Sequence, residues 1–296
     1  MRQKLLATAC LTLACTLTAP SVMAWGDEGH KVVALIASHY LQPKVLQRVN
    51  ALLQTDSSKL TPLDLASEAT WADYFRDSDR NTTQVHYLAT HNWHYADIEI
   101  PGGTVSAACY NFPVLTPGQL AANGPANDCV IDKVSEFAAE LKAPATTPAE
   151  RLAALQFLLH FMGDMHQPLH DADEHDLGGN SKTVVAANIA SGSFHHYWDV
   201  PFVEAISTDA LTVANQLIAG ITSANVQQWA SGTPTDWARE ANAVAVSTAY
   251  GALPKPDSSG VYHLSPTYVK NAVSAVKLQL SRAGVRLATV LNNALQ

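Results

Sequence analysis

The sequence predicts a mainly α fold, a single-domain helical bundle with few short strands. Three observations carry this. Apolar residues recur at helical spacing behind explicit start signals: Thr147-Pro148 with Glu150, Thr233-Pro234 and Ser265-Pro266. Alanine is frequent, and runs of β-branched residues are rare. No linker and no internal repeat divides the chain, so one core is expected from Trp25 to Gln296.

The elements follow in order. Residues 1–24 combine Arg2 and Lys4, an apolar stretch over 5–18, and Val22-Met23-Ala24. This is the pattern of a secretory signal peptide cut after Ala24, so a periplasmic or secreted protein is expected. No later apolar run is long enough to span a bilayer, so no membrane anchor is expected. Residues 30–41 and 43–53 read as helices, and Thr61-Pro62-Leu63-Asp64 as the start of a helix that carries residues 71–76. Residues 81–100 look extended or irregular, with a short strand pair, and 101–128 is Gly-, Pro-, Asn- and Ala-rich loop. Residues 130–141 are helical, followed by the helix opened at Thr147 and ended by Pro168. Leu152, Leu155, Leu159 and Met162 give that helix one buried stripe. A turn at 176–180 and a β-branched patch at 183–185 precede three further helices over 208–222, 234–249 and 266–294.

Cys109 and Cys129 are the cysteines beyond the signal segment. An even count in an oxidising compartment favours a disulfide closing a loop of about 20 residues, against the alternative of two buried thiols. The chain has 18 basic and 26 acidic residues, net −8. Without residues 1–24 it loses Arg2 and Lys4 and no acid, so 16 basic face 26 acidic residues, net −10. That excludes nucleic-acid binding through a broad basic surface, and any phosphate-bearing substrate must be attracted locally.

The chemistry concentrates on the Thr147 helix. His160 and Asp164 are four apart and project from one face, and His170 follows in the exit turn. An imidazole and a carboxylate in an apolar helix are costly unless satisfied, by each other or by a divalent metal. His195 and Asp199 form a second His-x-x-x-Asp pair, Asp73 and His94 sit in short aromatic-rich segments, and His30 lies close behind the expected new N-terminus. These five histidines and three aspartates are too many for one tetrahedral zinc and suit two or three. Imidazole with carboxylate fits zinc, with manganese or iron left open.

These residues resemble the zinc-dependent single-strand-specific nucleases of fungi, plants and bacteria. The matching pieces are Trp-Gly-x-x-Gly-His at 25–30, Trp-Ala-Asp-x-x-Arg at 71–76, Trp-His-Tyr-x-Asp at 93–97, His-x-x-x-Asp-x-His-Gln-Pro-Leu-His at 160–170, Gly-Gly-Asn at 178–180 and His-x-x-Trp-Asp at 195–199. The resemblance implies a fold shared with zinc-dependent phospholipase C and three zinc ions per chain. One would be held by Asp73, His94, His160 and Asp164, and a second by His170, His195 and Asp199. A third would be held by His30, Asp164 and the free amine and carbonyl of Trp25, with Asp164 shared. It further implies hydrolysis of single-stranded DNA and RNA to 5′-phosphate products, with a 3′-nucleotidase side activity. Asp73, Arg76 and Asp164 would be catalytic, Arg76 acting on the phosphoryl oxygens. Tyr95 would stack a base and Asp97 would hydrogen-bond one. Three divalent ions outweigh three ligand carboxylates, so one cleft would be positive in an acidic protein. A monomer is expected.

Two other functions share most of this pattern: a phospholipase C-like phosphodiesterase, and a secreted zinc-binding protein without catalysis. Asp199 and the Trp-Ala-Asp-x-x-Arg motif favour the nuclease over the first, and Arg76 and Asp97 favour it over the second. His166 lies outside the ligand pattern and reads as a structural hydrogen-bonder. Trp71, Trp93 and Trp198 read as packing residues.

Overall fold

A computed structural model describes residues 25–296, so the expected signal peptide lies outside the described residues. The chain runs through α1 (Gly26–Tyr40), α2 (Pro43–Leu53), α3 (Leu65–Glu68), α4 (Trp71–Asp77), α5 (Val85–Thr90) and α6 (Val105–Ala108). Next come α7 (Val130–Lys142), α8 (Pro148–Asp164), the pair β1 (Thr183–Ala186) and β2 (Ile189–Ser193), α9 (Phe194–Asp199) and α10 (Pro201–Glu204). The C-terminal third holds α11 (Ala210–Gly220), α12 (Ser223–Trp229), α13 (Pro234–Val244), β3 (Val261–Leu264) and α14 (Pro266–Ala294). The fold is mainly α. Its strands form a small sheet in the order β2-β1-β3, antiparallel between β1 and β2 and parallel between β1 and β3, with Thr183 opposite both Ser193 and Val261. Among the described residues no helix is long and apolar enough to cross a membrane.

The start signals act as read. Thr147 accepts from Glu150 N–H while Glu150 Oε2 accepts from Thr147 N–H, a closed capping box at the head of α8. Thr233 and Ser265 cap α13 and α14 ahead of first-turn prolines. The single buried stripe expected for α8 is not what forms. From Ala154 to Asp164 every residue is buried, because α1, α7 and α14 pack around the helix, and Leu152 at its outer end is only half-buried. This is the central helix of the bundle, and its polar residues are therefore internal.

Two other expectations are corrected. The helix expected from Asp64 through residue 76 breaks between α3 and α4, and the carbonyl of Ala69 at the break accepts from His160 Nδ1 at 2.8 Å. Residues 81–100, read as extended or irregular with a strand pair, are helical over their middle half: α5 runs into a 3-10 turn over His91–His94, and only the bridge Glu99–Asp173 is strand-like. Asp79 starts that segment from a distance, its carboxylate accepting from the backbone N–H of His86 and Tyr87. Residues 101–128 are loop broken by short turns, and Cys109 is bonded to Cys129 at its far end.

Candidate metal centre

Each element of the bundle's centre delivers one or two polar side chains to the same place. α8 presents His160 and Asp164, α4 presents Asp73, the 3-10 turn over 91–94 presents His94, and α1 presents His30. The 3-10 turn Pro168–Asp171 presents His170, and α9 presents His195 and Asp199. All eight side chains are buried, and three groups of them are close enough to share a metal ion: His30/Asp73/His160, His94/His160/Asp164 and His170/His195/Asp199. Gly163 makes this approach possible. A Cβ there would sit 2.7 Å from His30 Nδ1, and its carbonyl accepts from the indole of the buried Trp25 at 2.7 Å.

Asp164 is at the middle. Its Oδ2 lies 2.9 Å from His94 Nδ1 and 3.3 Å from His160 Nε2. Its Oδ1 lies 3.4 Å from His30 Nε2 and 3.8 Å from His170 Nδ1. Asp73 Oδ1 is 3.5 Å from both His94 Nδ1 and His160 Nε2. Asp199 Oδ2 is 3.4 Å from His195 Nε2, while its Oδ1 accepts from Gln167 Nε2 at 2.6 Å. The backbone N–H of Trp25 also donates to the Asp199 carboxylate, so the nitrogen that cleavage after Ala24 would free lies beside these groups.

The donor set fits metal ions. His160, His170 and His195 each turn Nδ1 to a backbone carbonyl, of Ala69, His94 and Gly178, at 2.7–2.8 Å. With that proton fixed, the neutral rings of His170 and His195 carry the lone pair on Nε2, and His160 Nε2 faces the carboxylates of Asp73 and Asp164. The Nε2 atoms of His170 and His195 face each other at 3.1 Å, which two lone pairs tolerate only with a cation between or beside them. His160 Nε2, both ring nitrogens of His30 and Asp199 Oδ2 are buried without a hydrogen-bond partner. Burial lowers His30 and His195 to about 3 and His94 to about 4, so all three are neutral and free to ligate near pH 7. Burial works against charge on His160 too, but Asp164 and Asp73 outweigh it and lift that ring to about 10. Burial pushes the Asp199 carboxyl well above its ordinary range. Carboxylates that favour positive charge on a neighbouring ring, beside one that burial drives toward neutrality, make this a place that favours a cation.

The groups open onto a cleft of about 230 Å³, several times the ~30 Å³ of a water molecule and thus room for an organic ligand. Arg76 lines it, and its guanidinium holds Asp73 Oδ1 at 2.6 Å and Asp77 Oδ2 at 2.8 Å. Against the upward push of burial, Arg76 and His160 keep Asp73 well below the usual carboxylate range. Tyr95 stands half-buried in the wall, its hydroxyl donating to Asn92 Oδ1 at 2.6 Å. Asp97 is exposed beside it. The surrounding protein and the acids Asp173 and Asp176 push its carboxyl upward, and water at the mouth screens part of that push. His166 is the structural hydrogen-bonder it reads as, bonded to Met162 O and to Arg286 Nη1 at 2.8 and 2.9 Å. Trp71, Trp93 and Trp198 are buried in packing. Sequence reasoning missed Arg80, Tyr87, His91 and Asn180, which also line the cleft, and Gln167, which orients Asp199. Gln167 and Asn180 were within reach, since they stand inside the segments 160–170 and 178–180 that resemble the nucleases.

Comparison with known proteins gives a consistent picture. The family model described as S1/P1 nuclease matches residues 25–296. The chain is 28% identical to nuclease PA3 of a Penicillium species and to nuclease P1 of Penicillium citrinum, over 90% of this chain and 97% of each relative. It is 26% identical to endonuclease 2 of Arabidopsis thaliana, over 93% of this chain and 91% of that protein.

Proposed function

The chain belongs to the S1/P1 nuclease family and is a nuclease, and from that premise we propose that it is a secreted, monomeric, tri-zinc hydrolase of single-stranded RNA and DNA. The observation that carries this is the set of eight buried imidazoles and carboxylates with fixed tautomers and unpartnered ligand atoms, opening on a cleft walled by Tyr95. Asp73, His94, His160 and Asp164 would hold one ion, His170, His195 and Asp199 a second, and His30, Asp164 and the Trp25 amine and carbonyl a third. Zinc there would acidify a water at neutral pH and neutralise charge on the phosphoryl oxygens.

The chain's own residues do the rest. Asp164 turns one oxygen to His94 and His160 and the other to His30, which supports its role as the shared ligand. The carbonyls of Ala69, His94 and Gly178 keep the imidazole protons out of the cleft, and Gln167 holds the Asp199 carboxylate. Arg76 fixes Asp73 and faces the cleft, where its positive charge meets the phosphoryl group. Tyr95 stacks the base and Asp97 hydrogen-bonds it. A base must leave its pair to reach the ring, which gives a preference for single strands whatever the sequence. Products would carry 5′-phosphate, with nucleoside 3′-monophosphates as secondary substrates.

The test is one panel. Chelated protein, with and without zinc, is given single-stranded RNA, single-stranded DNA, duplex DNA and phosphatidylcholine. Zinc-dependent cleavage of the single strands, with little of the duplex or lipid, is expected. Turnover of phosphatidylcholine alone would transfer the site to phospholipase chemistry, and zinc retention without turnover would make it a binding protein.

A further inference from the structure

One wall of the cleft continues outward from Tyr95 and is used neither by the candidate metal groups nor by Asp97. Tyr87 and His91 stand four apart where α5 meets the 3-10 turn, and Tyr95 follows in extended backbone just past that turn. Tyr87 and His91 have ring centroids 5.2 Å apart, and His91 and Tyr95 6.4 Å apart. The far end of this ladder carries Arg80, whose guanidinium carbon lies 4.9 Å from the centre of the Tyr87 ring. All four line the same cleft as His94 and His170. The core side of α5 is closed by His86, stacked on Phe75 at 4.2 Å, which leaves Tyr87 and His91 for the cleft side.

The chemistry of the ladder is that of a single-strand track. Half-buried aromatic rings are rigid enough to stack a base and open enough to receive one. Arg80 is partly exposed, and its ion pair with Asp77 is long, 3.7 Å, because Asp77 is already held by Arg76. A planar guanidinium over a ring can pair with a phosphate while adding its own face to the stack. In a chain with more acidic than basic residues, a second arginine on this one cleft is a local focus for an anion.

We propose that Arg80, Tyr87 and His91 form a second nucleotide site, which takes the neighbour of the nucleotide held at Tyr95 in a single strand. Its base stacks on the rings of Tyr87 and His91, and Arg80 pairs with its phosphate. The proposal rests on the nuclease reading and makes the enzyme's affinity depend on strand length.

The test compares thymidine 3′-(4-nitrophenyl phosphate), one base and one phosphodiester, with a single-stranded hexadeoxynucleotide. Wild-type KM should be lower for the hexamer. Tyr87→Ala should raise the hexamer KM about tenfold relative to the one-base substrate, and Tyr87→Phe should restore it. Arg80→Ala should also raise it and reduce the slope of log KM against log salt by about 0.7. Anisotropy of a fluorescein-labelled, phosphorothioate-linked hexamer reads the same loss without turnover. Variants that change both substrates equally, or neither, with unchanged hexamer binding, overturn the second site. A wild-type enzyme that binds the hexamer but cuts neither substrate would instead overturn the nuclease reading.

Discussion

Replacing Gly163 with alanine separates the bundle's stability from the integrity of its centre. The new methyl would lie 2.7 Å from His30 Nδ1, 3.0 Å from His30 Cε1 and 3.6 Å from Trp25 Cδ1. Ordinary carbon contacts need about 3.5–4.0 Å, so the His30 ring must retreat by roughly 1 Å. It is backed by His160, stacked at 3.8 Å with planes 13° apart, so the push passes to a second candidate ligand. Crowding of this kind costs about 1–3 kcal/mol. Alanine within a helix returns about 0.5–1 kcal/mol of that relative to glycine. The net loss of stability is therefore about 0–2.5 kcal/mol, and the variant should fold. Its activity should fall much further, since a displacement of about 1 Å at a reacting centre costs on the order of 100-fold. The assay is thermal unfolding, zinc content and kcat/KM on single-stranded DNA, measured on one preparation. Near-normal unfolding with reduced zinc and a hundredfold loss of kcat/KM is the expected result. Full zinc content with normal turnover would refute the placement of His30 in the centre.

Three further expectations follow from the same geometry. Asp164→Asn should reduce bound zinc from three ions to one by elemental analysis and abolish turnover, because one carboxylate faces His94, His160 and His30 together; retention of all three ions would exclude the shared-ligand role. Tyr95→Ala should raise KM for single-stranded substrate by the factor that about 1–3 kcal/mol of lost stacking gives, with zinc content unchanged; an unchanged KM would place the base elsewhere. Glu68, buried and bonded through Oε2 to Gln156 Nε2 at 2.9 Å, is pushed by burial from its ordinary 4.5 up to about 7. A carboxyl raised on folding contributes stability that is full below 4.5 and lost as pH rises to about 7, so Glu68→Gln should be less sensitive than wild type in urea midpoint between pH 5 and 8; parallel pH slopes would show that Glu68 ionises freely.

The parts of the fold legible in the sequence were those with local signals. Thr147, Thr233 and Ser265 each announce a helix through a cap and a following proline, and those helices begin where the caps stand. The parts that were not legible depend on distant partners. Val85, Tyr87, Thr90 and Trp93 have the composition of a strand, yet Asp79 caps the start of a helical run from outside the segment. The break after α3 reflects the needs of His160, ninety-one residues away, which takes the Ala69 carbonyl. β3 pairs in parallel with β1 across an intervening run of helices, and nothing in residues 261–264 names that partner. For the site, the residue types that hold metals were legible in His-x-x-x-Asp spacing. Arg80, Tyr87 and His91 were not, because only the folded chain brings them to the cleft, and the bond from Gln167 to Asp199 likewise depends on a partner distant in sequence.

The central claim is that the buried histidines and aspartates are held in order by metal ions, and anomalous diffraction at the zinc edge tests it most directly. The sample is exported protein that begins at Trp25. Three peaks are predicted, one among Asp73, His94, His160 and Asp164, one among His170, His195 and Asp199, and one beside His30, Asp164 and the Trp25 amine. An active crystal with no peak among these residues would contradict the account.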